Sequence, residues 1–245
     1  MPILKNFKTP FGTIRITRTA DGSLSYYQNG CFHSQSDKNG VSVCAYIHVI
    51  YELVLQSLAQ NVLIIGCGGG TLATMLRRMK CKVTVVDIND MAFKIARDYF
   101  KLPKDVRCIT QDGVIYLQTV QQRYDSIVVD VFGANNTVPR CFTSKDLFRS
   151  VKKALSPSGI MVMNVITKND RDKCAEKIAH SAQDAGMKIR LYDWPGETDR
   201  NTLILGGGPH KLNIPSGREP SDVEEDMEGL ICRPLKKRAQ ARTRA

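Results

Sequence analysis

The sequence holds eight cysteines, Cys31, Cys44, Cys67, Cys81, Cys108, Cys141, Cys174 and Cys232, yet no two of them stand at C-x-x-C spacing. Structural zinc and dithiol redox couples use such pairs, so neither is expected, and no metal site is expected elsewhere. Scattered thiols inside apolar patterns behave as small hydrophobes and stay reduced in a cytosol. No apolar run approaches the ~20 residues that cross a bilayer. The opening MPILKNFKTPFG has no apolar core leading to a small-residue cleavage site. A cytoplasmic protein with no membrane partner is the expectation. No internal repeat stands out either.

What is present suffices for one α/β domain with additions at its ends: 245 residues, 42% of them hydrophobic. The net charge of +11 would suggest an anionic partner if it lay in one patch. Much of it lies instead at the end of the chain. Arg233, Lys236, Lys237, Arg238, Arg242 and Arg244 follow directly on the acidic run 222–228. The apolar periodicity stops at Gly206-Gly207-Gly208-Pro209, so 210–245 is expected to be a disordered tail whose charge blocks pair loosely. Nucleic-acid binding through this tail is the lesser reading beside a solvated one.

The chain is organised around 61–90, NVLIIGCGGGTLATMLRRMKCKVTVVDIND. An apolar run stops at a glycine cluster, a helical pattern follows, and a second apolar run ends in Asp87. This is the strand, tight turn, helix and strand of a nucleotide-binding βαβ unit. Gly66, Gly68 and Gly70 would let the backbone come close to a ligand. Asp87, about 20 residues beyond the turn, is placed to accept hydrogen bonds from ribose hydroxyls.

Before this unit, alternation in 13–18 and the Asp21-Gly22 turn predict a small antiparallel β-unit over 1–40. A buried helix is expected over 41–58. After the unit, strands at 106–110, 126–131 and 160–165 alternate with helices at 91–100, 113–121, 144–155 and 170–185. The last strands, 188–193 and 202–205, are joined by a connection too short for a helical crossover and should be antiparallel. The expected fold is therefore a Rossmann-like, methyltransferase-type doubly wound sheet over 41–209, mostly parallel with a C-terminal antiparallel pair.

Three acids follow strands of this sheet: Asp87 after VTVV, Asp112 after RCIT and Gln111, and Asp130 after SIVV. Ligands of open α/β sheets bind at such strand ends. One aspartate there is more often a helix N-cap, and Asp112 fits that role for a helix starting at Gly113. Three around one glycine turn favour a ligand. Asp87 would take a ribose diol, Asp112 an exocyclic amine and Asp130 an ammonium or amine. That pattern suits a cationic nucleoside better than a dinucleotide, whose pyrophosphate wants donors. Thr71 also stands where a G-x-G-x-x-G turn has its third glycine.

The segments VLIIGCGGGTLATML, VVDIND, QDGVIYL, YDSIVVDVFG and CFTSKDLF together resemble the spermidine synthase (polyamine aminopropyltransferase) family over about 11–205. The resemblance implies a nucleoside sulfonium donor, S-adenosylmethionine or its decarboxylated form, and a small amine acceptor. It places Asp87 at the ribose, Asp112 at adenine and Asp130 beside the reacting group as the catalytic residue. Tyr46 matches the tyrosine of the family's Y-[HQ]-E-M helix and joins the donor-binding set. The family often forms dimers, so a homodimer is implied. The chain departs from the family where Gly69 replaces an aspartate of the glycine turn. Gly133 and Ala134 replace the second aspartate and the proline of D-x-x-D-P. The expected function is aminopropyl or methyl transfer to an amine-type acceptor, with an S-adenosylmethionine-dependent methyltransferase of unknown acceptor or a non-catalytic nucleoside-binding module as the alternative. His48 reads as a packed core residue in preference to a base. Asn135, Asn136 and Arg140 are candidates to line the acceptor pocket.

Overall fold

The computed structural model describes residues 2–133, 137–208, 212–216, 223 and 227–236. Strands β1 (Ile3–Thr9), β2 (Gly12–Arg18), β3 (Leu24–Gln28) and β4 (Cys31–Ser36) form an antiparallel sheet in chain order. Asn29 and Gly30, both at positive φ, make the two-residue turn between β3 and β4, as expected of an Asn-Gly hairpin. One face of this sheet carries Ile14, Ile16, Leu24 and Tyr26, which pack on Ile95 and Phe100. That contact seats the small sheet on the larger one's ligand edge.

The second sheet is built from β5 (Asn61–Ile65), β6 (Lys82–Asp87), β7 (Arg107–Thr110), β8 (Tyr124–Val129), β9 (Leu155–Thr167), β10 (Ile189–Asp193), β11 (Arg200–Gly207) and β12 (Ile231–Pro234). Their order is β12-β10-β11-β9-β8-β5-β6-β7. The five strands from β9 to β7 are parallel. Strand β11 runs antiparallel between β9 and β10. The mostly parallel sheet and its C-terminal antiparallel pair are as expected from the sequence.

Helices α1 (Ala45–Gln56), α2 (Thr71–Arg78) and α3 (Asp90–Tyr99) cover one face, and α4 (Gly113–Thr119), α5 (Lys145–Ala154) and α6 (Cys174–Asp184) the other. Each central strand feeds both layers because successive side chains point to opposite faces. Val62 and Ile64 of β5 join the first layer, whereas Leu63 and Ile65 join the second. Capping fixes where helices begin. Asn89 accepts from the Met91 N–H ahead of α3, and Ser144 from the Leu147 N–H ahead of α5. Helix α6 starts later than its amphipathic pattern suggests, because the Asp172 carboxylate takes the Cys174 and Lys168 N–H groups and holds the preceding residues in a turn.

The fold does not end at Pro209 as the periodicity suggests. Strand β12 pairs antiparallel with β10, and Leu212, Val223, Met227 and Leu230 are buried in the core layer containing α1. Arg233, expected in a solvated basic tail, donates to Asp193 and to Glu176, each at 2.9 Å. Arg200 meets the other oxygen of Asp193 at 2.7 Å and Asp170 at 2.9 Å. The rest of the expected tail lies outside the described residues.

Arg200 and Asp193 are almost wholly buried, so removing one partner strands the other's charge. Arg200→Ala is expected to lower unfolding free energy by about 3–5 kcal/mol in urea denaturation, with a smaller loss for Arg233→Ala, whose side chain is partly exposed. Equal, negligible losses would show the network to be incidental.

Candidate active site

The chain leaves β5 through Gly66, whose N–H bonds the Val86 carbonyl at 2.8 Å. Its φ is +98°, and a Cβ there would lie 2.1 Å from the Asp130 carbonyl oxygen. Only glycine fits. This is the switch point of the sheet, since β6 lies on one side of β5 and β8 on the other. A cavity of about 300 Å³ opens at it, and Gly66, Gly68, Gly70, Asp87, Asp112 and Asp130 all line it.

Asp87 is held by the backbone at both oxygens, from the Cys67 N–H at 2.7 Å and the Asn89 N–H at 2.8 Å. Burial pushes its pKa up, and these bonds pull against that shift. Each carboxylate oxygen keeps a further lone pair, which suits a vicinal diol. Asp112 does what a lone strand-end aspartate is expected to do: its Oδ1 caps α4 through the Val114 and Ile115 N–H groups, at 2.8 and 3.1 Å. It lines the cavity as well, and both capping bonds fall on Oδ1, which leaves Oδ2 over among the described residues.

Asp130 stands at the end of β8 and lines the cavity. Burial raises its pKa to about 6, while hydrogen bonds from Asn164 and Tyr46 oppose the rise. Asn164 Nδ2 donates to Oδ1 at 2.9 Å. The Tyr46 hydroxyl stands 3.5 Å from Oδ2, long for an O–H···O bond. Tyr46 thus sits behind Asp130, and is not itself among the residues lining the cavity.

The N-terminal sheet supplies the roof. Tyr26, Gln28, His33 and Ser34 line the cavity, and Ser34 Oγ accepts from the Gly69 N–H at 3.1 Å, tying the roof to the glycine turn. Burial lowers the His33 pKa, which favours a neutral imidazole. The remaining wall comes from the loop after β8, where a 3-10 turn at Arg140–Thr143 presents Cys141 and Phe142. Arg140 is exposed and does not line the cavity. Asn135 and Asn136 lie outside the described residues.

The two departures from the family pattern, Gly69 and Gly133, differ in their surroundings. A Cβ on Gly69 would meet the Phe100 ring at 3.0 Å, and neither residue lines the cavity. A side chain at this position would start against the Phe100 ring, which would have to give by a few tenths of an ångström. Gly133, by contrast, has room among the described residues: its Cβ would find only ordinary contacts there, the nearest at 3.6 Å. His48 is buried with Nε2 donating to the Ser42 carbonyl at 2.7 Å, as expected of a packed core histidine. Sequence reasoning missed Asn164. Its signal was available, a single amide within the apolar run IMVMNVIT of a central strand.

The fold and the acid-lined switch point define a Rossmann-like protein of the methyltransferase type. The chain belongs to the spermine/spermidine synthase family: the model for the spermine/spermidine synthase domain matches residues 43–195. A probable polyamine aminopropyl transferase of Bifidobacterium longum is 35% identical over 182 residues, covering 71% of this chain and 39% of that protein. The polyamine aminopropyltransferase of Chromobacterium violaceum is 34% identical over 179 residues, covering 70% of this chain and 66% of that one. The chain therefore spans well under half of the first relative's length. A crystal structure of a probable spermidine synthase from Corynebacterium glutamicum superposes with a TM-score of 0.79 at 16% identity, covering 96% of this chain and 92% of that one.

Gly69→Asp should overpack the Phe100 contact. The expected result is a loss of about 1–3 kcal/mol in unfolding free energy. Unchanged stability would place that side chain in open space.

Proposed function

We propose that the protein transfers an aminopropyl group from decarboxylated S-adenosylmethionine to a small amine. The observation that carries this reading is the charge of the cavity. Asp87, Asp112 and Asp130 line it, and no lysine or arginine does among the described residues. A sulfonium arm ending in an ammonium suits such walls. The amino-acid arm of S-adenosylmethionine brings a carboxylate that would face carboxylates with no cationic partner. Membership of a family with aminopropyltransferase relatives supports the same donor.

In this reading Asp87 holds the ribose, Asp112 the adenine amine and Asp130 the attacking amine. The amine nitrogen bonds to the propyl carbon attached to sulfur, the C–S bond breaks, and its electron pair neutralises the sulfonium to a thioether. The proton lost by the amine passes to Asp130. Much of the rate enhancement comes from alignment and from exclusion of water, which the roof of the N-terminal sheet provides.

The purified chain, given decarboxylated S-adenosylmethionine and a panel of mono- and diamines, is expected to release methylthioadenosine and an aminopropylated amine, read by mass spectrometry. Methyl transfer from S-adenosylmethionine with no aminopropyl product would overturn the proposal. Because Asp130 must be ionised to act, the rate should rise with pH through about 6 on the acid side. Asp130→Asn should lower kcat by about 10²- to 10⁴-fold. Asp87→Asn, which weakens a charge-assisted pair of acceptors, should raise the Kd for methylthioadenosine by about 10- to 100-fold in calorimetry.

A further inference from the structure

We propose that Asn201 is a positioning residue for Asp130, acting through Asn164 in a relay of two amides. Asn164 lies in the middle of β9 with no exposed surface, and Asn201 lies on β11 beside it. In the antiparallel register Asn164 faces Leu203, so Asn201, two residues from Leu203, shares the same face as its diagonal neighbour. Asn201 Nδ2 donates to Asn164 Oδ1 at 3.0 Å, and Asn164 Nδ2 donates to Asp130 Oδ1 at 2.9 Å.

The polarity of this chain follows from chemistry. A primary amide beside a carboxylate can present either its NH₂ or its oxygen, two orientations of nearly the same shape. The oxygen would repel the carboxylate, and the NH₂ stabilises it. By donating to Asn164 Oδ1, Asn201 holds the oxygen on its own side and commits the NH₂ to Asp130. One carboxylate oxygen is thereby engaged, and the other is turned toward Tyr46. The strand order serves the relay, since β11 is laid antiparallel against β9 and brings its amide within reach.

The inference rests on the proposed role of Asp130, but its test does not depend on the reaction. The ¹³C carboxyl signal of Asp130, assigned by its loss in Asp130→Asn, is titrated by NMR in the full chain and in Asn201→Ala and Asn201→Asp. Other titratable groups around the site are Tyr26 on β3, His33 on β4, Tyr46 on α1, Cys67 in the glycine turn, Asp87 after β6, Asp112 before α4 and Cys141 in the 3-10 turn. None of them is altered. Asn201→Asp places an acceptor against Asn164 Oδ1 and should turn that amide over, raising the Asp130 midpoint by about one pH unit, a tenfold change in proton affinity. Asn201→Ala should raise it by less. The acid limb of kcat/KM should move with the midpoint in each variant. A purely structural role predicts the opposite pattern, reduced stability with an unmoved midpoint. If Asn201→Asp does not fold, the Ala variant carries the same sign. Midpoints unchanged from the wild type would overturn the relay even if aminopropyl transfer is present. A shifted midpoint without aminopropyl transfer would uphold the relay and defeat the proposed reaction instead.

Discussion

The close approach of β5 and β8 governs the site. Asp130 donates its N–H to the Ile65 carbonyl at 2.9 Å, while its own carbonyl occupies the space where a side chain at residue 66 would be. A glycine there lets the sheet continue unbroken up to the turn. Any larger residue would have to push β8 away, taking the Asp130 carboxylate with it. The Asp87 carboxylate depends on the same turn, because one of its oxygens is bonded to the N–H of Cys67 directly after Gly66. Backbone geometry, more than side-chain packing, brings these acids around one space.

Burial opposes ionisation of the carboxylates at Asp87 and Asp130, and the protein offsets that cost differently at each. Asp87 is held by backbone N–H groups, which are rigid and cannot change orientation. Asp130 is held by side-chain amide and hydroxyl groups on other elements, so its proton affinity is open to adjustment by distant residues. Asp112 is spent partly on α4, for which it is the N-cap. A structural acid, a fixed acceptor and an adjustable one share a wall that carries no opposing cation among the described residues.

Much of this was legible in the sequence because it depends on period and on strand ends. The alternation of strands and helices, the antiparallel final pair and the acids after VTVV and SIVV all follow from local pattern. The side of the backbone from which a glycine would project does not. Gly69 stands one residue from Gly68 and Gly70, both on the cavity wall, yet the side from which its side chain would project is filled by the Phe100 ring. The Asn164 and Asn201 pairing depended on which strand lies beside β9, a fact of strand order. Strand β12 escaped because four residues with one proline carry little periodicity, and because its hold on the sheet is partly ionic.

That short strand has a further consequence. Without it, β10 would present a row of free backbone N–H and C=O groups along the margin of an eight-stranded sheet, the kind of surface on which chains add to one another. Strand β12 occupies the margin and makes a poor template in its turn. It is only four residues long, it carries a cation at Arg233, and it ends in Pro234, which has no N–H to offer. The protein closes this side of its sheet with a segment unsuited to being extended by a further strand.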